Sequence, residues 1–243
     1  MVFVIGSPRS GTTFLAGAIG SCPGFIDLGE VAALKAGIPE LASLEPAAAA
    51  VRIRRLLGVT RRLGLVGRLR GVEQTPETAF VAHAVQLAVP QAKLVHIVRD
   101  GRDVACSLME RGWLSAGRSG GDDAGLPYGA TPRFWVERDR HAEFVAASDA
   151  RRAAWAWRRY VEAGRSVRES VHEIRYERLA SDSEGTAADL ATFLDTPLEP
   201  LAMALGAFFD SSIGRFRREL TPGQIAEIEE EAGSLLSDLG YLQ

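Results

Sequence analysis

The sequence predicts an α/β fold in three layers, a central parallel sheet flanked by helices, on three observations. A short apolar run, Val2 to Ile5, passes through a glycine-containing turn into a helical pattern near Thr12. A second run, Lys93 to Val98, is almost wholly apolar, as a parallel strand covered on both faces is. Strand-like and helix-like segments alternate along the chain, which implies a parallel sheet with helices on both sides. The 243 residues suit one such domain, 1–243, and would be cramped as two.

Taken in order, the first helix spans Thr12 to Ile19, with Phe14, Leu15, Ala18 and Ile19 for its buried side. Gly20, Pro23 and Gly24 end it. Phe25 to Leu28 reads as a short strand or extended turn, leading through Gly29 and Glu30 to a helix over Val31 to Ala36. From Pro46 to Leu69 the pattern is helical, with Val51, Ile53, Leu56 and Leu57 set among arginines. Arg52, Arg54, Arg55, Arg61, Arg62, Arg68 and Arg70 make this the most basic stretch. It reads as a solvated helical face, or as a landing surface for an acidic acceptor or carrier.

Gly71 to Gln74 is a brief strand ended by Thr75 and Pro76, and a helix runs from Glu77 to Ala88. The strand Lys93 to Val98 ends at Arg99-Asp100-Gly101, where a helix from Arg102 to Arg111 begins. Gly117 to Gly129, rich in Gly and Asp, reads as a mobile loop. The stretch from Arg133 to Glu169 is mostly helical and carries Trp135, Trp155, Trp157 and Tyr160. Val171 to Tyr176 is a further strand, and helices over Ser183 to Leu194, Leu198 to Phe209 and Thr221 to Leu239 complete the chain.

Composition narrows the function classes. A hydrophobic fraction of 47% with 24% charged residues is that of an ordinary globular protein. A net charge of −3 gives no support to general nucleic-acid binding. No apolar run approaches the ~20 residues a membrane span needs. A strand starting almost at Met1 leaves no room for a secretory leader, so the expected location is cytoplasmic. Cys22 and Cys106 lie far apart with no Cys/His cluster, so neither a disulfide framework nor a metal site is expected. The oligomeric state stays open.

The chemistry concentrates in two turns. Gly6 and Gly11 stand at the G-x-x-x-x-G spacing of a phosphate-cradling, P-loop-like turn, with Thr13 as its hydroxyl residue. Thr12 occupies the position of the usual lysine, and Arg9 offers a guanidinium within the loop. Such a loop still binds phosphate through backbone N–H groups and the positive end of its helix. The missing lysine points away from nucleoside triphosphate chemistry. In parallel sheets, ligands lie beyond the carboxyl ends of the strands. Residues 7–13 and 99–107 both begin at such ends and are expected to face one another across one site.

Four segments in this order resemble the sulfotransferases that use 3'-phosphoadenosine 5'-phosphosulfate (PAPS). They are Gly6-Ser-Pro-Arg-Ser-Gly-Thr-Thr13, the stretch Ile97 to Ser107 with Val-Arg-Asp-Gly-Arg-Asp-Val-Ala-Cys between, Arg175-Tyr-Glu-Arg-Leu179 and Ile213-Gly-Arg-Phe-Arg-Arg218. Together they span nearly the whole chain. The resemblance implies that Ser7, Pro8, Arg9, Ser10, Gly11, Thr12 and Thr13 hold the 5'-phosphosulfate. It implies that Arg99 and Ser107, with Arg217, hold the 3'-phosphate, that Tyr176 lies near the adenine, and that Gly214, Arg215 and Arg217 belong to a closing loop. PAPS carries charge at two ends, so two separate anion holders make physical sense. Arg99 can fork to two phosphate oxygens and Ser107 can donate a hydroxyl. Taken alone, Arg99 suits a salt bridge to Asp100 or Asp103 at the helix start, and Ser107 suits a small helix residue packed against the sheet.

By the same resemblance Glu30, in the Gly29-Glu30 pair, is the general base, with Arg9 beside it in catalysis. A carboxylate in a partly desolvated pocket can take the proton of an attacking hydroxyl. A helix-start glutamate favoured by the dipole is the competing reading, and His83 is a rival base ahead of His96, which sits within a buried strand. Related sequences often carry lysine where Gln74 stands, so either Arg9 carries more of the charge stabilisation, or a basic residue from 52–70 fills in, or the rate is low. The implied reaction is metal-independent, in-line sulfuryl transfer from PAPS, leaving PAP, to a hydroxyl of a small-molecule or natural-product acceptor. Segments 45–70 and 131–169 are expected to border the acceptor site. Trp113 and Trp135 could line it, while Trp155 and Trp157 suit the core. A P-loop kinase or nucleoside triphosphatase, and a catalytically weak nucleotide-binding adaptor, are the alternatives.

Overall fold

Among the described residues five strands form one all-parallel sheet in the order β2-β3-β1-β4-β5. They are β1 (Val2–Gly6), β2 (Phe25–Asp27), β3 (Arg70–Glu73), β4 (Lys93–Val98) and β5 (Val171–Arg175). The structure, a computed structural model, describes residues 1–121, 131–167 and 170–242. Most of the loop expected at 117–129, and the expected helix end at 168–169, lie outside the described residues.

Helices α1 (Thr12–Gly20), α2 (Ala32–Leu41), α3 (Pro46–Leu56), α4 (Gly58–Gly67), α5 (Ala82–Ala88) and α6 (Gly101–Arg111) come from the first half of the chain. The second half supplies α7 (His141–Ala146), α8 (Asp149–Arg165), α9 (Arg178–Ser181), α10 (Ser183–Leu194), α11 (Leu198–Leu205), α12 (Phe216–Glu219) and α13 (Pro222–Asp238). β1 is central, with Val4 opposite Val95 and Ile5 opposite His96 on β4. Its side chains alternate between the two faces. Val2 and Val4 join Leu15 and Ile19 of α1 and the apolar residues of α10 and α11. Phe3 and Ile5 join the buried residues of α2, α3 and α5. A third cluster packs α6, α8 and α13 around Trp135, Trp155 and Trp157. The expected three-layer α/β architecture is the observed one.

The differences from expectation are breaks within helices. The 46–69 pattern divides at Leu57, whose ψ of 1° leaves the helical range just before Gly58, a residue with little helical preference. The 133–169 stretch holds a 3₁₀ turn, Arg138–Arg140, then α7, then an extended Ala147 and the longer α8. Ser148 opens α8 by accepting the Arg151 N–H at 3.1 Å. The helix expected from Glu77 begins instead as a 3₁₀ turn, Pro76–Val81, and only then becomes α5. α2 runs on to Leu41, and α11 ends at Leu205 ahead of Gly206. Cys22 and Cys106 are free and buried, and burial pushes the Cys106 thiol up to about 12. Among the described residues no helix is long and apolar enough to cross a membrane, and no cluster of His, Cys, Asp and Glu could hold a metal.

Candidate active site

The turn between β1 and α1 owes its shape to two left-handed residues, Arg9 (φ 71°) and Gly11 (φ 92°). Ser10 N–H closes the turn on the Ser7 carbonyl at 3.1 Å. Gly11 could carry no side chain: a Cβ there would lie 2.8 Å from the Tyr176 ring. No side chain caps α1, so its amino end presents backbone N–H groups and the positive end of the helix dipole.

The second turn meets the first. Arg99, at the end of β4, donates to the Arg9 carbonyl at 3.1 Å and to the Ser212 carbonyl. Arg9 Nε in turn donates to Ser107 Oγ on α6 at 2.9 Å. The Arg99 guanidinium lies 4.3 Å from the centre of the Tyr176 ring, and the Tyr176 hydroxyl is 2.9 Å from Ser212 Oγ. Trp157 Nε1 donates to the Arg99 carbonyl at 2.9 Å, a core contact that fixes the strand end. Among the described residues, Ser10 Oγ and Arg99 Nε are buried with no hydrogen-bond partner. Burial, with Arg111 and Arg99 close by, lowers the pKa of Arg9.

A third segment is drawn in by Asp103, on the first turn of α6. Its two carboxylate oxygens accept the Gly214 N–H at 2.7 Å and the Phe216 N–H at 3.0 Å. Burial pushes this carboxyl up despite those two amides. Arg99 stands 3.9 Å from Asp103, while Asp100 caps α6 and pairs with Arg102. The C-terminal arginines diverge. Arg215 is held by Glu219 at 2.6 Å and Glu110 at 3.1 Å, which keep its pKa well above the usual range. Arg217 is exposed and shares a cleft with Gly214, Asp100, Asp103 and Tyr241.

Beside the first turn lies a cavity of about 360 Å³, walled by Arg9, Thr12 and Thr13 on one side and by Trp113, Trp135 and Tyr160 on another. Glu30 lines it. Gly29 (φ 61°) makes the turn ahead of Glu30, with its N–H on Asp27 Oδ1 at 2.8 Å, and the Val31 N–H is taken by Glu73 at 3.3 Å. Glu30 therefore precedes α2 rather than starting it.

Three charged residues of this cavity, Lys35, Glu77 and Arg133, were not singled out from the sequence. Lys35 of α2 is buried and its Nζ lies 2.5 Å from Glu30 Oε2. The available signal was a lone lysine in an apolar run five residues after Glu30. Glu77 is also buried and accepts the Tyr160 hydroxyl at 3.0 Å. Gln74 accepts the Thr13 hydroxyl at 3.0 Å, so that hydroxyl is engaged within the protein. His83 is exposed on α5, and His96 is fully buried with Nδ1 3.4 Å from Glu173; neither lines the cavity. Among the described residues none of 45–70 lines it, whereas Arg133, Trp135, Ala156 and Tyr160 of 131–169 do.

The profile of the sulfotransferase family matches residues 47–200 of the chain. The sulfotransferase domain from the curacin biosynthetic pathway is 16% identical, with 97% of this chain and 96% of that one covered and a TM-score of 0.61. Mouse sulfotransferase SULT7A1 complexed with PAP is also 16% identical, with 99% and 86% covered and a TM-score of 0.58. The sulfotransferase domain from the Synechococcus PCC 7002 olefin synthase gives 15% identity, 97% and 94% coverage and a TM-score of 0.54. At these identities the likeness to the solved structures is one of fold. No curated protein matches the chain by sequence.

Proposed function

The chain belongs to the sulfotransferase family, and from that premise we propose that it moves the sulfuryl group of PAPS to a hydroxyl of a small-molecule or natural-product acceptor. The observation that carries this reading is the meeting of two anion-binding turns, Arg9 on Ser107 at 2.9 Å and Arg99 on the Arg9 carbonyl at 3.1 Å. A ligand charged at both ends of one adenosine needs such a pair. The buried, unpartnered Ser10 Oγ and Arg99 Nε are donors that an anion would satisfy.

On this reading the whole chain, 1–243, is one sulfotransferase domain. Residues 7–13 hold the 5'-phosphosulfate through loop amides, the amino end of α1 and the Arg9 guanidinium. Arg99, Ser107 and Arg217 take the 3'-phosphate, with Tyr176 beside the adenine. Gly214 lets backbone approach the nucleotide, and Arg215, already held by Glu219 and Glu110, braces that loop. Thr13 and Ser107 exchange their present partners, Gln74 and Arg9, for the ligand.

The acceptor oxygen bonds to sulfur as the bond from sulfur to the 5'-phosphate oxygen breaks. The acceptor proton passes to Glu30, and the leaving phosphate keeps the electron pair as PAP. Positioning and fixed charge supply most of the rate. Lys35 holds Glu30 in the cavity, its Nζ 2.5 Å from Oε2. The scheme calls for no metal, and Arg9 faces the sulfuryl oxygens.

Titrating metal-free protein with PAP, and separately with ATP and magnesium, tests the proposal. We expect saturable PAP binding without magnesium. A preference for magnesium-ATP would overturn it in favour of a kinase or nucleoside triphosphatase. PAP binding with no sulfate transfer from PAPS to any of a broad set of acceptors would leave the adaptor reading.

A further inference from the structure

Glu77 occupies the second position of the 3₁₀ turn Pro76–Val81 and is only 7% exposed, yet it lines the cavity that holds Glu30 and Arg9. One of its oxygens, Oε1, accepts the Tyr160 hydroxyl at 3.0 Å. The other, Oε2, is buried with no hydrogen-bond partner among the described residues. A carboxylate oxygen removed from water and left without a donor is costly, and native proteins keep few of them. Tyr160 accounts for Oε1 alone. Burial pushes the carboxyl up; its own backbone N–H, the Lys35 charge and the Tyr160 hydroxyl oppose that and the Glu30 charge adds to it. The surrounding wall is aromatic and apolar, formed by Trp113, Trp135, Leu108 and Leu114.

We propose that Glu77 is a specificity-determining residue whose Oε2 accepts a hydrogen bond from a second donor on the acceptor. This inference rests on the sulfotransferase reading of the same cavity. The acceptor class is then a ring-bearing molecule with the hydroxyl to be sulfated and, apart from it, a further O–H or N–H group. An acceptor lacking the second donor leaves Oε2 unpaired, which is how a polar site rejects a close analogue of its substrate.

The PAP-loaded full chain is titrated calorimetrically with three matched phenols: para-ethylphenol, which has no second donor, tyrosol, which adds a hydroxyl, and tyramine, which adds an ammonium. We expect tyrosol or tyramine to bind at least about tenfold more tightly than para-ethylphenol, and the stronger arm identifies the donor. In Glu77→Gln, which keeps the shape and an acceptor for Tyr160 but turns Oε2 into a donor, the advantage should fall to about twofold or less. Equal affinities in the wild type, no saturable binding of any of the three, or an advantage that survives in Glu77→Gln overturns the inference. The wild-type comparison stands even where the variant does not fold. Failure of PAP itself to bind would instead remove the sulfotransferase reading, and this inference with it.

Discussion

Glu30 reaches the cavity through its neighbours. Gly29 adopts a positive φ that most residues disfavour, Asp27 holds the Gly29 N–H, and Glu73 holds the Val31 N–H. Lys35 then fixes the carboxylate from α2. If Glu30 takes the acceptor proton, Glu30→Gln keeps the shape and removes the base. We expect turnover to fall by about two to four powers of ten, with PAP affinity little changed. Turnover within a few fold of wild type would take Glu30 out of that role. The resemblance carried by the Gly29-Glu30 pair pointed to Glu30, which lines the cavity. Lys35 and Glu77 were not legible in the sequence, because burial of a charged side chain depends on partners brought from other elements. Nothing in the local sequence of Glu77 announces Tyr160, 83 residues on.

At the scale of elements, the β1 turn works because α1 starts without a side-chain cap and Gly11 leaves room for Tyr176. Gly11→Ala would place a Cβ 2.8 Å from that ring at a φ of 92°. The left-handed backbone alone costs an alanine about 1–2 kcal/mol. We expect a lower melting temperature and PAP binding weakened by about tenfold or more. A variant that melts and binds PAP as the wild type does would show that the contact with Tyr176 is not needed. The strands and α1 were legible since apolar runs of strand length, bounded by Gly, Pro or charge, have few other readings. The helix breaks were harder to see. Ser148 acts as a cap in a stretch where either side is helix-forming, and the 3₁₀ turn at 76–81 shares its apolar spacing with an α-helix.

Across the whole molecule, one buried carboxylate ties the sheet to the site. Glu73 ends β3, and its oxygens accept the Thr75 N–H at 3.0 Å, the Thr75 and Thr78 hydroxyls and the Val31 N–H. Burial raises its pKa from 4.5 to about 7, against the pull of those donors. The folded chain thus binds this proton more tightly than the unfolded chain. Its contribution is fully present below about pH 4.5 and is lost as pH rises through about 7. The loss amounts to at most about 3 kcal/mol. Thermal unfolding between pH 4.5 and 8 should show stability declining over that window, and Glu73→Gln should flatten the decline. An unchanged slope in the variant would assign it to other groups.

Asp103 adds a consequence of its own. A single buried carboxylate grips the amides of Gly214 and Phe216 together, one oxygen to each. Peeling away either amide strips half of an anion's solvation inside the protein, so there is little to gain from letting go of one without the other. Both amides must let go of Asp103 before the segment can leave α6. On the proposed reading, a spent nucleotide lying beneath it departs only after that double release.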